Sequence, residues 1–270
     1  MLMKDMIFDT HAHYDDEAFD ADRDSLLESL AENGIEAAVN IGSDLKSIED
    51  TLALTRKYPQ VYGAVGIHPC STGELNEESF RKLRQAALEP KIAAIGEIGL
   101  DYYWDEPGRD MQKQWFERQL ELARELARPV VIHSREAAQD TLDIMKAHKS
   151  AEIGGVIHCF SYGLEMAREY LDMGFYLGIG GVLTFHNAKR LKEVAAYAPL
   201  DRLVLETDCP YLAPVPFRGS RNCSAYLSYV AEALADIKGL AQQEVIRVTN
   251  RNAKALYRLD GQEAPGRNPL

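Results

Sequence analysis

The chain has 270 residues, enough for one large α/β barrel or two ordinary domains. Its 46% apolar and 27% charged residues fit a globular protein with a full core, and no apolar run reaches the ~18 residues of a membrane helix. A formal net charge of -12 argues against a broad duplex-binding surface, which carries a basic stripe, but leaves room for a local positive site built from metal ions and a few arginines.

The chain enters an apolar run at once, with no basic segment before it, so no signal peptide is expected and the cytoplasm is the expected compartment. Cys70, Cys159, Cys209 and Cys223 lie far apart without C-x-x-C spacing and read as free thiols in a reducing compartment. Met6-Ile7-Phe8 opens the first strand, expected over residues 6–9, and leads into Asp9-Thr10-His11-Ala12-His13. Alternation sends His11 and His13 to one face with Asp9 a layer beneath, and two imidazoles about 7 Å apart, at ~3.3 Å per residue, can chelate one ion. A lone His-x-His is more often accidental than metal-binding, so the rest of the chain decides.

Further strands are expected over 37–41, 61–66, 92–95, 130–132, 155–157, 176–179 and 203–205. Amphipathic patterns between and after them predict helices over 22–33, 45–58, 77–88, 111–127, 136–148, 164–173, 188–198 and 224–238, with an extra C-terminal helix over 242–257. This alternation is that of a single (β/α)8 TIM-type barrel filling residues 1–259. A doubly wound open sheet is the runner-up, weakened because no Gly-x-Gly-x-x-Gly follows the first strand. Residues 260–270, with Gly261, Pro265, Gly266 and Pro269, read as a frayed, disordered tail.

The polar residues fall where these strands end. His11 and His13 close the first, His68 the third, Glu97 the fourth, His133 the fifth, His158 the sixth and Asp208 the eighth. Singly, each has a bland explanation: a capping histidine, a turn aspartate, a loop acid. Together they put five of the seven histidines and two acids at one mouth, where barrel active sites sit. His148 and His186 lie off the pattern and read as surface residues. Histidine and carboxylate ligands without cysteine suit Zn²⁺, Mn²⁺ or Mg²⁺. Six ligands (His11, His13, Glu97, His133, His158 and Asp208) exceed what one open catalytic ion uses, so two divalent cations sharing Glu97 or Asp208 are expected.

Arg135, Arg218 and Arg221 flank these ends and suit phosphate, or serve only solubility. Tyr102, Tyr103 and Trp104 follow Glu97 and either stack bases or pack their loop onto the barrel. Asp9 and Glu206 are expected to orient ligands from behind.

Six strand-end motifs then resemble the TatD family of metal-dependent hydrolases and deoxyribonucleases. They are Asp9-Thr10-His11-Ala12-His13, Gly66-Ile67-His68-Pro69, Gly96-Glu97-Ile98-Gly99-Leu100-Asp101-Tyr102, Val131-Ile132-His133-Ser134-Arg135, Ile157-His158-Cys159-Phe160-Ser161 and Glu206-Thr207-Asp208-Cys209-Pro210-Tyr211. The segment from Ala213 through Arg218 and Gly219 to Arg221-Asn222 resembles it too, and the likeness runs from about residue 6 to 258. The resemblance implies an amidohydrolase-like barrel with two divalent metals, one held by His11, His13, Glu97 and Asp208 and the other by Glu97, His133 and His158. It implies that Asp208 takes the proton of the attacking water and that His68 contacts substrate phosphate. The activity it implies is cleavage of DNA from strand ends, in the manner of a 3′–5′ exonuclease, without membrane or obligate protein partner. Two departures, Ser161-Tyr162-Gly163 and Cys223-Ser224-Ala225, touch substrate fit rather than ligands. The competing readings are a metal-dependent hydrolase of small amides, lactones or esters, and a non-catalytic binding protein on the same fold.

Overall fold

The computed structural model describes residues 5–259. Its eight strands are β1 (Ile7–Ala12), β2 (Ile35–Gly42), β3 (Val61–Val65), β4 (Ile92–Asp101), β5 (Val130–Arg135), β6 (Gly155–Ile157), β7 (Tyr176–Ile179) and β8 (Leu203–Leu205). Every neighbouring pair is parallel, in the order of the sequence. The sheet closes where β1 meets the chain leaving β8. There Thr10 donates its hydroxyl to the Leu205 carbonyl (3.0 Å), Asp208 N–H donates to His11 O (2.9 Å) and His13 N–H donates to Cys209 O (2.9 Å). The expected (β/α)8 barrel is therefore the fold, and its last seam is made by two of the strand-end motifs.

The helices are α1 (Arg23–Glu28), α2 (Leu45–Lys57), α3 (Glu77–Ala86), α4 (Arg109–Glu125), α5 (Ala138–Ala147), α6 (Leu164–Asp172), α7 (Lys189–Tyr197), α8 (Leu227–Lys238) and α9 (Gln242–Leu256). α1 is shorter than its apolar pattern. Ser29 turns its hydroxyl onto Leu26 O and Asn33 its amide onto Ser29 O, and such local bonds compete with helix continuation. α2 starts sharply because Asp44 and Ser47 form a reciprocal capping box. None of the described helices is long and apolar enough to cross a membrane.

The terminal helix belongs to the barrel. Tyr257 is 2% exposed and donates its hydroxyl to Thr10 O at 2.7 Å, and its ring stacks on Phe8. Small and β-branched side chains such as Ala37, Val39, Ala94, Val131, Val156 and Val204 complete this inner cluster. They let the strands close on a filled interior rather than a pore. The tail expected over 260–270 lies outside the described residues.

Two strands continue further than the apolar pattern. The apolar pattern ends β1 at Asp9 and β4 at Ile95, yet both strands run through expected ligand residues, each with a bulge. Asp9 to Ala12 spans one residue more than its partners Ala38 to Asn40, and Ile95 to Ile98 one more than Val130 to Ile132. A bulge re-aims the side chains around it. Asp9 stands at the start of the β1 bulge, and its carboxylate accepts from the His11 N–H (3.2 Å), the Thr207 N–H (3.1 Å), the Thr207 hydroxyl (2.8 Å) and the Ser224 hydroxyl (2.6 Å), bracing the segments that carry His11 and Asp208.

Candidate metal centre

The strand ends bring together all six expected ligands. Four atoms form one compact group. His11 Nε2 lies 3.2 Å from His13 Nε2, 3.5 Å from Glu97 Oε2 and 3.6 Å from Asp208 Oδ1, and His13 Nε2 lies 3.4 Å from Asp208 Oδ1. A tetrahedral ion with bonds of about 2.1 Å has ligand-to-ligand edges of roughly 3.4 Å, so these spacings fit a cation at the centre. The other Glu97 oxygen faces a second group. Oε1 is 2.7 Å from both His133 Nδ1 and His158 Nε2, which are 3.3 Å from each other. Glu97 thus divides its oxygens between the two groups, and donor sets drawn from these residues and His68 lie within 4.8 Å of one another.

Neighbouring groups fix the imidazoles. His13 is held through Nδ1 by the Ile41 carbonyl (3.1 Å), which leaves Nε2 facing the cluster. Glu206 sits 3.9 Å behind His158 Nδ1 and also accepts the Cys159 N–H. His133 Nε2 lies 3.0 Å from Asp101 Oδ2, a partner the sequence reading missed. Asp101 shares the parity of Glu97 along β4, a signal that appears once that strand is continued past Ile95. Gly99, between them, has φ +145°, and a Cβ there would fall 1.9 Å from the His133 carbonyl oxygen. Only glycine lets β4 approach β5 this closely.

The charges fit the same picture. Burial pulls His11 down to about 4, helped by the neighbouring His158. Burial also works against protonated His13 and His158, but Asp208 and Glu97 together outweigh it and hold them up at about 9 and about 10. Glu97 stays well below the usual carboxylate range despite its burial, because the surrounding imidazoles favour its charge. Burial pushes Glu206 up to about 8 and Asp9 up to about 6. The buried Nδ1 atoms of His11 and His158 have no hydrogen-bond partner among the described residues.

The cluster floors an open cavity of about 500 Å³. His68 stands on its wall, with Nε2 3.9 Å from Glu97 Oε1 and Nδ1 accepting the Cys70 N–H at 3.2 Å. The side next to β1 and β2 is acidic: Asp15, Asp16, Glu17 and Asp44 line it, with Lys46 the cation among them. The arginines expected to meet phosphate each have a partner within the protein, and of the three Arg135, at the end of β5, stands nearest the cluster. Arg221 forks onto Asp22 (2.7 and 2.5 Å), Arg218 covers the Phe185 ring at 4.4 Å, and Arg135 covers Tyr103 at 3.9 Å. Tyr102 is turned in, donating its hydroxyl to Asp140 at 2.6 Å. His186 is exposed, and His148 faces Glu117 at 3.6 Å, both away from the cluster as expected.

A model of the family described as TatD related DNase matches residues 8–258. The chain belongs to the TatD family. Two relatives bear the name uncharacterized metal-dependent hydrolase. YabD of Bacillus subtilis is 41% identical, over 94% of this chain and 100% of its own length. YcfH of Escherichia coli K12 is 37% identical, over 94% of this chain and 96% of its own length. The crystal structure of YjjV, a TatD homologue from Escherichia coli K12, superposes with a TM-score of 0.89 at 30% identity, covering 95% of this chain and 99% of that one. This TatD-family protein is a metal-dependent hydrolase, and its cluster of histidines and carboxylates could hold a metal.

Proposed function

We propose that the protein is a deoxyribonuclease that binds two divalent cations, Zn²⁺, Mg²⁺ or Mn²⁺, and removes nucleotides from strand ends in the 3′–5′ direction. The observation that carries this reading is the division of Glu97: Oε2 faces a group with tetrahedral spacing and Oε1 faces a second histidine pair. His11, His13, Glu97 and Asp208 would hold one ion, and Glu97, His133 and His158 the other. Two such ions would supply positive charge to offset the oxygens of a phosphodiester and would lower the pKa of a bound water.

The protein's own groups supply the rest. Asp208 stays ionised, since the histidines around it more than offset its burial, and accepts the proton of the attacking water. That proton is then available to the alkoxide released when the P–O bond breaks. His68 positions the phosphate. Its Nδ1 already accepts a backbone N–H, so the proton of the neutral ring belongs on Nε2, where it can be donated to a phosphate oxygen in the cavity. The acidic wall beside β1 and β2 repels a continuous polyanion, which favours a strand end over an internal segment. The four free thiols suit work in the cytoplasm.

The same wall, and the placement of Arg218 and Arg221 on other partners, support a second reading: a hydrolase of small amides, lactones or esters on the same centre. A panel of bis(p-nitrophenyl) phosphate, p-nitrophenyl acetate, a lactone and an amide, each with added metal, separates the two. Preferential turnover of the phosphodiester supports the first reading. Turnover of the carboxylic substrates alone supports the second.

A further inference from the structure

The loop after β4 carries three aromatic residues in sequence, and the structure gives them opposite tasks. Tyr102 faces inward, bonded to Asp140 and covered by the Arg109 guanidinium at 4.1 Å. Tyr103 and Trp104 face outward, 51% and 63% exposed, with ring centroids 5.1 Å apart at 88°. Their backbone is pinned. Both N–H groups donate to Asp101 Oδ1, at 3.0 and 3.1 Å, and Gln112 brackets Asp101 by accepting its N–H and donating to its carbonyl. Apart from the guanidinium that covers one face of Tyr103, two adjacent large rings on a fixed loop stand in water, a feature that suits a binding surface.

Two further observations say what that surface receives. Arg135 stacks on one face of Tyr103 and follows the expected ligand His133 by two residues, so the platform carries positive charge at the edge of the cluster. Asp101 ties the platform to the cluster directly, since its other oxygen lies 3.0 Å from His133 Nε2. Across the cavity the wall is acidic. The β1–β2 side of the cluster therefore repels a polyanion, whereas the loop on the β4–β5 side carries two exposed rings and a guanidinium just beyond the cavity.

We infer that Trp104, with Tyr103 and Arg135, is a stacking subsite for a nucleobase of single-stranded DNA, next to the nucleotide being removed, and that the strand leaves the centre over the β4–β5 lip. This rests on the deoxyribonuclease reading and adds to it the path of the strand. Stacking on an aromatic side chain tolerates any base and needs no ordering of a loop that is already fixed.

The test is a cycle between protein and substrate. Wild type, Trp104→Phe and Trp104→Ala are compared on an end-labelled single strand and on the same strand with tetrahydrofuran abasic nucleotides near its end. Trp104→Ala should lower kcat/KM on the normal strand about tenfold, abasic substitution should cost wild type a similar factor, and the two together should cost no more than either. Trp104→Phe should retain most of the activity. Quenching of tryptophan fluorescence by the strand should disappear in Trp104→Phe, although Trp115 remains. Losses that multiply, or a Trp104→Ala variant that acts like wild type, would overturn the subsite while leaving the nuclease reading intact. A wild type that cleaves no DNA yet hydrolyses a small ester would overturn both.

Discussion

Asp101 Oδ2 lies 3.0 Å from His133 Nε2, on the far side of the ring from Glu97. A carboxylate on the second nitrogen of a ligating histidine fixes which nitrogen carries the proton and makes the other a stronger donor. Asp101→Asn keeps the shape but removes the charge. It should weaken metal binding at the Glu97–His133–His158 group about 10- to 100-fold. Activity should return as metal concentration rises, which a merely misfolded protein would not show. Metal titration of activity, with far-UV circular dichroism as control, checks it.

Glu97 is the shared element of both groups. Glu97→Gln should lower kcat at least about a hundredfold, with an unfolding midpoint near that of wild type. His186→Ala, on an exposed loop, should match wild type. Steady-state rates for the two variants suffice. Similar activities would contradict the assignment of the centre.

Metal uptake should release protons. In the metal-free protein His13 and His158 have pKa values raised to about 9 and about 10, so both carry a proton at pH 7.5. A ligating imidazole must be neutral. Binding should therefore expel up to about two protons per chain near pH 7.5, and apparent affinity should rise with pH through the range below 9. Isothermal titration calorimetry in buffers of different ionisation enthalpy counts them. A proton count near zero at pH 7.5 would contradict the prediction.

Tyr257 tests whether the terminal helix is integral. Tyr257→Phe removes the donor to the buried Thr10 carbonyl and should cost about 1–2 kcal/mol of unfolding free energy. Urea denaturation should show a lower midpoint with an unchanged slope.

The alternation of apolar runs placed all eight strands and the barrel class. The histidines and acids at their ends disclosed the centre, because strand ends of a barrel converge. The apolar pattern failed at β1 and β4, where polar ligands and glycines interrupt it although the backbone stays paired. For that reason Asp101 escapes the pattern, and the contacts of Asp9 with Thr207 and Ser224 are not legible in it. Side-chain direction in loops is set by tertiary partners, which periodicity does not carry. Arg221 faces Asp22 rather than the cavity, and the acidic wall of Asp15, Asp16 and Asp44 comes from two loops that meet only in the fold.

The proposed activity of the candidate metal centre is hydrolysis of DNA from strand ends. The direct measurement is a time course on end-labelled linear single strands, linear duplex and covalently closed single-stranded circles, with Mg²⁺, Mn²⁺ or Zn²⁺ or with chelator. Stepwise shortening from the 3′ end of linear single strands, abolished by chelator and absent from circles, is the predicted result. Efficient cutting of closed circles, or no cleavage of any DNA under metal conditions that support turnover of a small ester or amide, would contradict it.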